Sequence, residues 1–337
     1  MRKGFLKKIE YYLPDGVEAN DSDSAATKKI GIFEKRVTSK DEYASDLAYR
    51  AAMKLFESQA CSPEDIDFLI YCSQSPDYYL PTTACILQNK LGIPSTCGAL
   101  DINLGCSGFV YGMSLVKGII ETGLANNVLL ITSDTYSKYI HPEDRSVKPL
   151  FGDGAAATLF SHTESEEDLI GPFVFGTDGE GANNLIVPSG GLREPKSVES
   201  SEEVQDSYGN IRSRNNLYMN GPEIFTFTLR EIPAAITRLL GKMNATIDSF
   251  DYTVFHQANM YMLEHLRAKL KIPKDRFSVQ MSHSGNTVSS SIPIALKNEI
   301  DCGTIRNGNS LLLVGFGVGY SWAACKIQLG VKNSDNE

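Results

Sequence analysis

A βαβαβ pattern that occurs twice limits the possible folds of this chain more than any other feature. In the first copy, a strand-like run at Phe68–Cys72 leads into a helical segment that ends before Pro94. In the second copy, a run at Thr253–His256 leads into a helical segment that ends before Pro273. Each copy continues with a second helix and a strongly apolar strand. Strands that alternate with helices predict an α/β fold with mostly parallel sheets covered on both faces.

Three chemically reactive side chains stand at corresponding places in the two copies. Cys106 follows Pro94 by twelve residues and Asn286 follows Pro273 by thirteen, so each occupies a strand-to-helix turn. His256 stands at the C-terminal end of a neighbouring strand. Functional groups collect at the carboxyl ends of strands in open α/β sheets. We therefore expect Cys106, His256 and Asn286 to converge on one site.

The repeat also predicts how the chain is divided. We assign residues 1–168 to a first half that carries the cysteine, and residues 169–337 to a second half that carries the histidine and the asparagine. The polar stretch 189–216 has almost nothing to bury. We interpret it as an exposed loop, and favour a disordered insertion over a lid.

Two local predictions concern the second half. The apolar periodicity of Met219–Leu240 indicates a helix, which Pro233 is expected to interrupt. The short run Phe277–Val279 is expected to form a strand of the second sheet.

The turn at Asp101–Phe109 places Cys106 at the start of a helix. The following segment, Phe109–Glu121, carries apolar residues around nearly its whole circumference, which predicts a buried helix. Unpaired N–H groups and the positive end of the helix dipole favour a thiolate and can lower a thiol pKa from about 8.5 by one or more units. A small apolar core cysteine is the alternative interpretation of this residue taken alone.

Composition and charge argue against several classes of protein. The formal net charge of −9 is unlike that of a nucleic-acid-binding protein, which would present a basic face. No apolar run is long enough to span a membrane, and the basic N-terminus lacks the apolar core of a secretory signal, so we expect a cytoplasmic protein. The seven cysteines show no C-x-x-C spacing, five of them stand in apolar surroundings, and the five histidines do not cluster. We therefore expect buried, reduced cysteines and no metal.

Five motifs occur in order along the chain. They are Asp101-x-x-x-x-Cys106-Ser107-Gly108-Phe109, Phe151–Ala155, His256–Asn259, Gly285–Thr287 and Gly315–Trp322. Together they resemble the β-ketoacyl-acyl carrier protein synthase III family of the thiolase fold, over nearly the whole chain apart from residues 17–30 and 189–216. The resemblance implies a duplicated, five-layer α-β-α-β-α fold, in agreement with the repeated pattern.

The resemblance also implies roles for the reactive side chains. Cys106 would be the nucleophile that takes an acyl group from a thioester. His256 and Asn286 would polarise the carbonyl of a malonyl thioester, whose decarboxylation gives the carbanion that attacks acyl-Cys106. The backbone N–H groups of Cys106 and Val318 would hold the acyl oxyanion, although many relatives carry glycine at position 318. The product would be a β-ketoacyl thioester, in fatty-acid initiation or in a specialised pathway.

Substrate contacts follow from the resemblance with several departures. The family takes coenzyme A or acyl carrier protein thioesters as substrates, binds no permanent cofactor and is homodimeric. Lys29 stands where an arginine is usual, Arg145 matches an arginine on the adenine side, and the usual adenine-stacking tryptophan is missing. Asn259 belongs to the histidine motif and is expected to face the substrate. Tyr261 replaces an arginine that helps to dock the carrier protein, and Leu80 lies in a segment that closes the partner subunit's acyl pocket.

Other functions remain open at this point. The same acyl-Cys106 intermediate could pass its group to an alcohol or an amine. A cysteine hydrolase also orders Cys, His and Asn along its chain. An inactive partner subunit of a condensing complex is a further alternative, although such partners usually lose the cysteine. A 3-hydroxy-3-methylglutaryl-coenzyme A synthase is disfavoured because no glutamate stands just before Cys106.

Overall fold

The structure, a computed structural model, describes residues 1–330. The α-helices of this part of the chain are α1 (Ala25–Ile30), α2 (Ala44–Glu57), α3 (Thr83–Lys90), α4 (Gly108–Glu121), α5 (Gly221–Met243), α6 (Met260–Leu270) and α7 (Ser291–Asp301). The strands are β1 (Arg2–Tyr12), β2 (Gly16–Ala19), β3 (Glu34–Val37), β4 (Phe68–Cys72), β5 (Gly98–Ile102), β6 (Asn127–Asp134), β7 (Gly154–Glu164), β8 (Ile170–Thr177), β9 (Leu185–Ile186), β10 (Val204–Gln205), β11 (Ile211–Arg212), β12 (Tyr218–Met219), β13 (Tyr252–Phe255), β14 (Ser310–Gly317) and β15 (Ser321–Gln328).

The two main sheets repeat one topology. The first has the order β1-β7-β6-β4-β5, and the second has the order β8-β15-β14-β13. Strands β4, β5 and β6 are parallel, as are β13 and β14, whereas the first two strands of each order are antiparallel. The predicted duplication is confirmed. The last strand of the first sheet ends at Glu164, and the first strand of the second sheet begins at Ile170. The division of the chain after residue 168 stays a prediction. Residues 331–337 of the second half lie outside the described part.

Alternation along the central strands builds the layers. In β6, Val128 and Leu130 pack into a core with α4 and α7, while Leu129 and Ile131 pack into another core with α2 and α3. In β14, Leu311 and Leu313 join the same α4 and α7 core, while the alternate residues face α5 and α6. Because successive side chains of a strand point to opposite faces, each sheet is covered on both sides. The result is five layers, α2/α3, first sheet, α4/α7, second sheet, α5/α6.

The predicted strand at Phe277–Val279 is wrong. Phe277 forms only an isolated bridge to Thr253, at the place that β5 occupies in the other sheet. After the N–H of Ser278, which donates to the carbonyl of Thr253, the strand pairing with β13 stops. The N–H of Gln280, two residues further on, donates instead to the side-chain oxygen of Gln257 at 2.7 Å. A side chain thus replaces the neighbouring strand.

The predicted break at Pro233 is also wrong, because α5 is continuous through it. A proline removes the N–H that would bind the carbonyl four residues earlier. That carbonyl belongs to Leu229 and accepts a hydrogen bond from Lys269 Nζ on α6 at 2.8 Å. The helix tolerates the proline since its orphaned acceptor is satisfied by a neighbouring helix.

Burial differs from expectation in two places. Helix α4 is not buried all round, because Leu115 is exposed while Tyr111 and Ile119 are half-buried. The cysteines are all free, but only Cys72, Cys106 and Cys325 are buried, while Cys61 and Cys97 are half-buried and Cys85 and Cys302 are exposed, so the expectation of five buried fillers is wrong. Within residues 1–330, no helix combines the length and apolarity needed to cross a bilayer. In the same range, no group of three or more His, Cys, Asp or Glu side chains is placed to hold a metal ion.

Residues 189–216 have a defined structure, which contradicts the favoured disordered insertion. Charge pairing replaces the missing apolar core. Arg212 binds Asp144 and Asp206, each at 2.7 Å. Asp206 in turn accepts hydrogen bonds from the backbone N–H groups of Tyr208 and Asn210. The sequence pattern counted apolar residues and therefore missed this polar network.

Replacing Arg212 by methionine is expected to lower the free energy of unfolding by about 3 kcal/mol, because an unpaired charge at the fully buried Asp144 is costly. Urea unfolding followed by circular dichroism measures the change. Arg193→Met is the matched control, since Arg193 is exposed and forms no ion pair within residues 1–330. Equal effects of the two substitutions would contradict this account of the segment.

Candidate active site

The three predicted reactive residues line one cavity of about 390 Å³. Cys106 lies on the turn between β5 and α4, in the first half. His256 directly follows β13, and Asn286 lies in the loop that leads into α7. The carboxyl ends of β5 and β13 therefore bring residues from both halves of the chain to one place.

Cys106 is buried in the wall of this cavity. Burial, and to a smaller extent the nearby Asp134 carboxylate, raises the pKa of its thiol to about 12. The backbone N–H groups of Cys106 and Val318 point at the sulfur and oppose this effect. The expectation of a lowered pKa is therefore wrong, because loss of water around the thiolate outweighs the donors at the start of the helix. The same two N–H groups were predicted to bind an acyl oxyanion, and they are adjacent to the sulfur.

The rate at which iodoacetamide alkylates Cys106 is expected to rise about tenfold per pH unit between pH 7 and 9, because the thiolate is the nucleophile and its fraction grows with pH below the pKa. Peptide mapping by mass spectrometry measures the rate at this residue. The exposed Cys85 serves as an internal check on the reagent. A rate that is already constant below pH 8 would restore the low-pKa hypothesis.

Strand β14 approaches Cys106 so closely that two of its positions require glycine. A β-carbon on Gly317 would lie 2.8 Å from Cys106 Sγ, and one on Gly315 would lie 2.8 Å from Ser107 Cα. Real Cβ atoms do not approach other heavy atoms this closely. The glycine-rich motif thus lets the second half of the chain press its backbone against the cysteine. Val318 follows with an ordinary φ, since it is not among the non-glycine residues of the described chain with positive φ.

His256 is buried and neutral at pH 7, because burial lowers its pKa to about 3 against a weaker opposing effect of the Val288 carbonyl. Its Nδ1 lies 2.7 Å from Ser291 Oγ. The N–H of Gln257 donates to the same oxygen at 3.3 Å, and the hydroxyl hydrogen of Ser291 can point at Nδ1. The ring proton then resides on Nε2, on the side of Asn286.

Asn286 is fixed through both its backbone and its side chain. Its N–H donates to the carbonyl of Leu150, and its own carbonyl accepts from the N–H of Gly152. Its Oδ1 accepts from the N–H of Val288 at 2.9 Å, which turns Nδ2 towards His256 Nε2 at 3.4 Å. Val288 has φ +53°, a strained conformation for a β-branched residue. Two N–H donors held side by side can bind one carbonyl oxygen.

The mouth of the cavity carries some of the predicted substrate contacts. Lys29 lies over the ring of Tyr261, with Nζ 4.0 Å from the ring centroid, and both line the cavity. Asn259 also lines it, although its Oδ1 is used to cap α6 through the N–H of Met262. Arg145 is exposed and lines neither this cavity nor a second, larger one of about 880 Å³ described below. Leu80 is exposed and is also outside both.

A second cavity, of about 880 Å³, lies on the other side of the β14 turn. Val318 and Gly319 line it, together with the aromatic rings of Tyr78, Tyr79 and Tyr136. Residues 189–191 and Lys196 also contribute, so the segment at 189–216 forms part of its wall. The segment that was interpreted as an exposed loop therefore borders the cavity beside Val318.

Sequence reasoning missed two side chains that organise the site. Ser291 contacts His256, and the sequence signal for it was the run of three serines that leads into α7 and ends at its first residue. Asp134 lies at the end of β6 and accepts from the N–H of Gln74 and from the N–H and hydroxyl of Ser289. It therefore ties the loop after Asn286 to the first half. Nothing in the sequence distinguishes it from other acidic residues that follow strands.

Two duplicated halves with a cysteine, a histidine and an asparagine at their junction define a thiolase-fold enzyme. The comparisons with known proteins agree. Profiles for 3-oxoacyl-[acyl-carrier-protein (ACP)] synthase III and for its C-terminal region match residues 100–179 and 240–329. The chain belongs to the β-ketoacyl-acyl carrier protein synthase III family.

Individual relatives support this assignment over the full length. The chain is 35% identical over 325 residues to a β-ketoacyl-[acyl-carrier-protein] synthase III of Caldanaerobacter subterraneus, covering 94% of this chain and 95% of that protein. A solved 3-oxoacyl-(acyl-carrier-protein) synthase III is 51% identical with a TM-score of 0.95, covering 97% and 100% of the two chains. A priming β-ketosynthase from a polyketide biosynthetic pathway is 26% identical with a TM-score of 0.84, covering 98% of each chain.

Proposed function

We propose that this protein is a condensing enzyme that joins an acyl group to a malonyl thioester. The observation that carries the proposal is a single cavity lined by a buried cysteine and by two adjacent N–H donors, His256 Nε2 and Asn286 Nδ2. The nucleophile and the paired donors suit two successive steps of one reaction.

In the first step, Cys106 attacks the carbonyl of an acyl thioester. The N–H groups of Cys106 and Val318 bind the oxyanion of the tetrahedral intermediate. The C–S bond to the donor thiol then breaks, and the thiol leaves with the proton that the cysteine gives up. An acyl-cysteine remains, which stores the group without loss of activation because one thioester replaces another.

In the second step, a malonyl thioester binds with its carbonyl oxygen between His256 Nε2 and Asn286 Nδ2. These donors stabilise the enolate that forms when the carboxylate leaves as carbon dioxide. The enolate carbon attacks acyl-Cys106, a carbon–carbon bond forms and the C–S bond to the cysteine breaks. One proton is taken up to restore the thiol, and a β-ketoacyl thioester departs. A neutral His256 suits this role, since it donates without titrating near pH 7.

The substrates reach the site through the cavity mouth at Lys29 and Tyr261. A narrow apolar cavity fits a phosphopantetheine arm carried by coenzyme A or by an acyl carrier protein. Lys29 is placed to attract the phosphate of either carrier. We further propose that the enzyme is a cytoplasmic homodimer in which Leu80 reaches the partner subunit, and that it needs no permanently bound cofactor.

The test uses the purified full chain with acyl-coenzyme A and acyl-carrier thioesters, followed by malonyl-acyl carrier protein. Intact-mass spectrometry should find an acyl group on the enzyme, and chromatography should find a β-ketoacyl thioester with release of carbon dioxide. An acyl-enzyme that ignores malonyl thioesters but transfers its group to an alcohol or amine would replace condensation by the alternative transfer. Hydrolysis alone would favour a hydrolase.

A further inference from the structure

The two cavities adjoin at the end of β14. Cys106 and Gly317 line the smaller cavity, whereas the next residue, Val318, lines the larger one. Leu185 borders both. The backbone at the end of β14 therefore passes between the two cavities. Val318 lies on the side of the larger cavity, whereas Cys106 lies on the side of the smaller one.

The side chains of Val318, Val288 and Gln74 converge beside Gly105. A β-carbon on Gly105, the residue before the cysteine, would lie 3.0 Å from Val318 Cγ1, 3.2 Å from Val288 Cγ1 and 2.5 Å from Gln74 Oε1. Gln74 is held by the hydroxyl of Tyr136 at 2.6 Å. Val288 is fully buried. Of these side chains, Gln74 and Val318 line the larger cavity, and the point where they meet beside Gly105 is called the neck.

We propose that Val318 is a specificity-determining residue, whose side chain limits the branching and bulk of acyl groups that pass from Cys106 into the larger cavity. The inference rests on the proposed function, since it needs an acyl-cysteine. With the acyl carbonyl oxygen at the N–H of Val318, the acyl chain starts beside the backbone of this residue, and a chain directed into the larger cavity passes its γ-carbons. A straight chain can pass this neck, whereas a branch at the second carbon meets the γ-carbons.

The experiment measures acyl loading of Cys106 from acetyl-, isobutyryl- and benzoyl-coenzyme A by time-resolved intact-mass spectrometry. Val318→Ala removes both γ-carbons and keeps the backbone N–H. It should raise the ratio of isobutyryl to acetyl loading about tenfold, the discrimination typical of one or two methyl groups in an apolar pocket. Val318→Ile adds a carbon to the neck and should lower the same ratio.

Val174→Ala is the matched control, because Val174 is a buried valine of the same core that lines neither cavity. It should leave the ratio within about threefold of wild type, a margin well below the discrimination expected at the neck. Equal ratios in Val318→Ala, Val318→Ile and Val174→Ala would overturn the inference, as would a fall in Val318→Ala. If Val318→Ala fails to fold, Val318→Ile alone decides by its direction. Absence of any acyl adduct on the wild type from coenzyme A or carrier thioesters would refute the proposed function itself, and the inference with it.

Discussion

Replacing Cys106 by alanine is expected to abolish the acyl-enzyme and with it all condensation. The other six cysteines lie outside the lining of the cavity, so none can take over the attack. Removing the nucleophile of a covalent mechanism costs many orders of magnitude, about 10⁶ in a well-studied protease. Intact-mass spectrometry after incubation with acyl thioesters measures the adduct, and peptide mapping locates it.

Cys85→Ala is the matched control, since this cysteine is exposed and does not line the cavity. It should retain full loading. Thermal unfolding of both variants separates a chemical effect from a folding defect. An acyl mass that persists in Cys106→Ala would remove the basis of the proposed mechanism.

Replacing His256 or Asn286 by alanine is expected to separate the two half-reactions. Decarboxylation of the malonyl thioester should fall by about 10² to 10³, the usual cost of losing one donor to a developing oxyanion. Formation of acyl-Cys106 should persist, because the donors proposed for that step are backbone N–H groups. Release of labelled carbon dioxide and growth of the acyl-enzyme mass measure the two steps on one sample.

The control for the histidine is His283→Ala, since His283 is largely exposed and pairs only with Glu34 among the described residues. It should leave both steps unchanged. Equal losses of loading and decarboxylation in His256→Ala would argue against separate roles.

The rate of decarboxylation by the wild-type enzyme should also show no titration near pH 6.5, because burial lowers the pKa of His256 to about 3 and keeps the ring neutral above that pH.

Much of the fold follows from local rules that the sequence obeys. Helix α6 ends before Pro273 as predicted, because Asn259 caps its start and Lys271, directly after its end, adopts a left-handed conformation. The strongly apolar strands β6 and β14 are buried on both faces, so their composition alone identified them. The repeated spacing then placed Cys106 and Asn286 at equivalent turns, and His256 beside them.

Other features depend on contacts that no local pattern contains. Pro233 stays within a helix because Lys269, distant in sequence, binds the orphaned carbonyl. The strand expected at Phe277 is lost to a side chain, that of Gln257. The pKa of Cys106 reflects the water excluded by both halves, whereas the sequence revealed only the start of the helix. The substrate contacts inferred from the family resemblance depend even more on tertiary structure. Arg145, for example, is exposed and lines neither cavity.

The closeness of Gly315 and Gly317 to the cysteine turn has a consequence for how substitutions in the two halves affect each other. In the proposed mechanism one half supplies the nucleophile, and the other supplies an oxyanion donor from its own backbone as well as both side-chain donors. Neither half could then carry out the reaction alone, and a substitution in either half has to remain compatible with the backbone of the other. A single reaction centre makes the two halves mutually dependent.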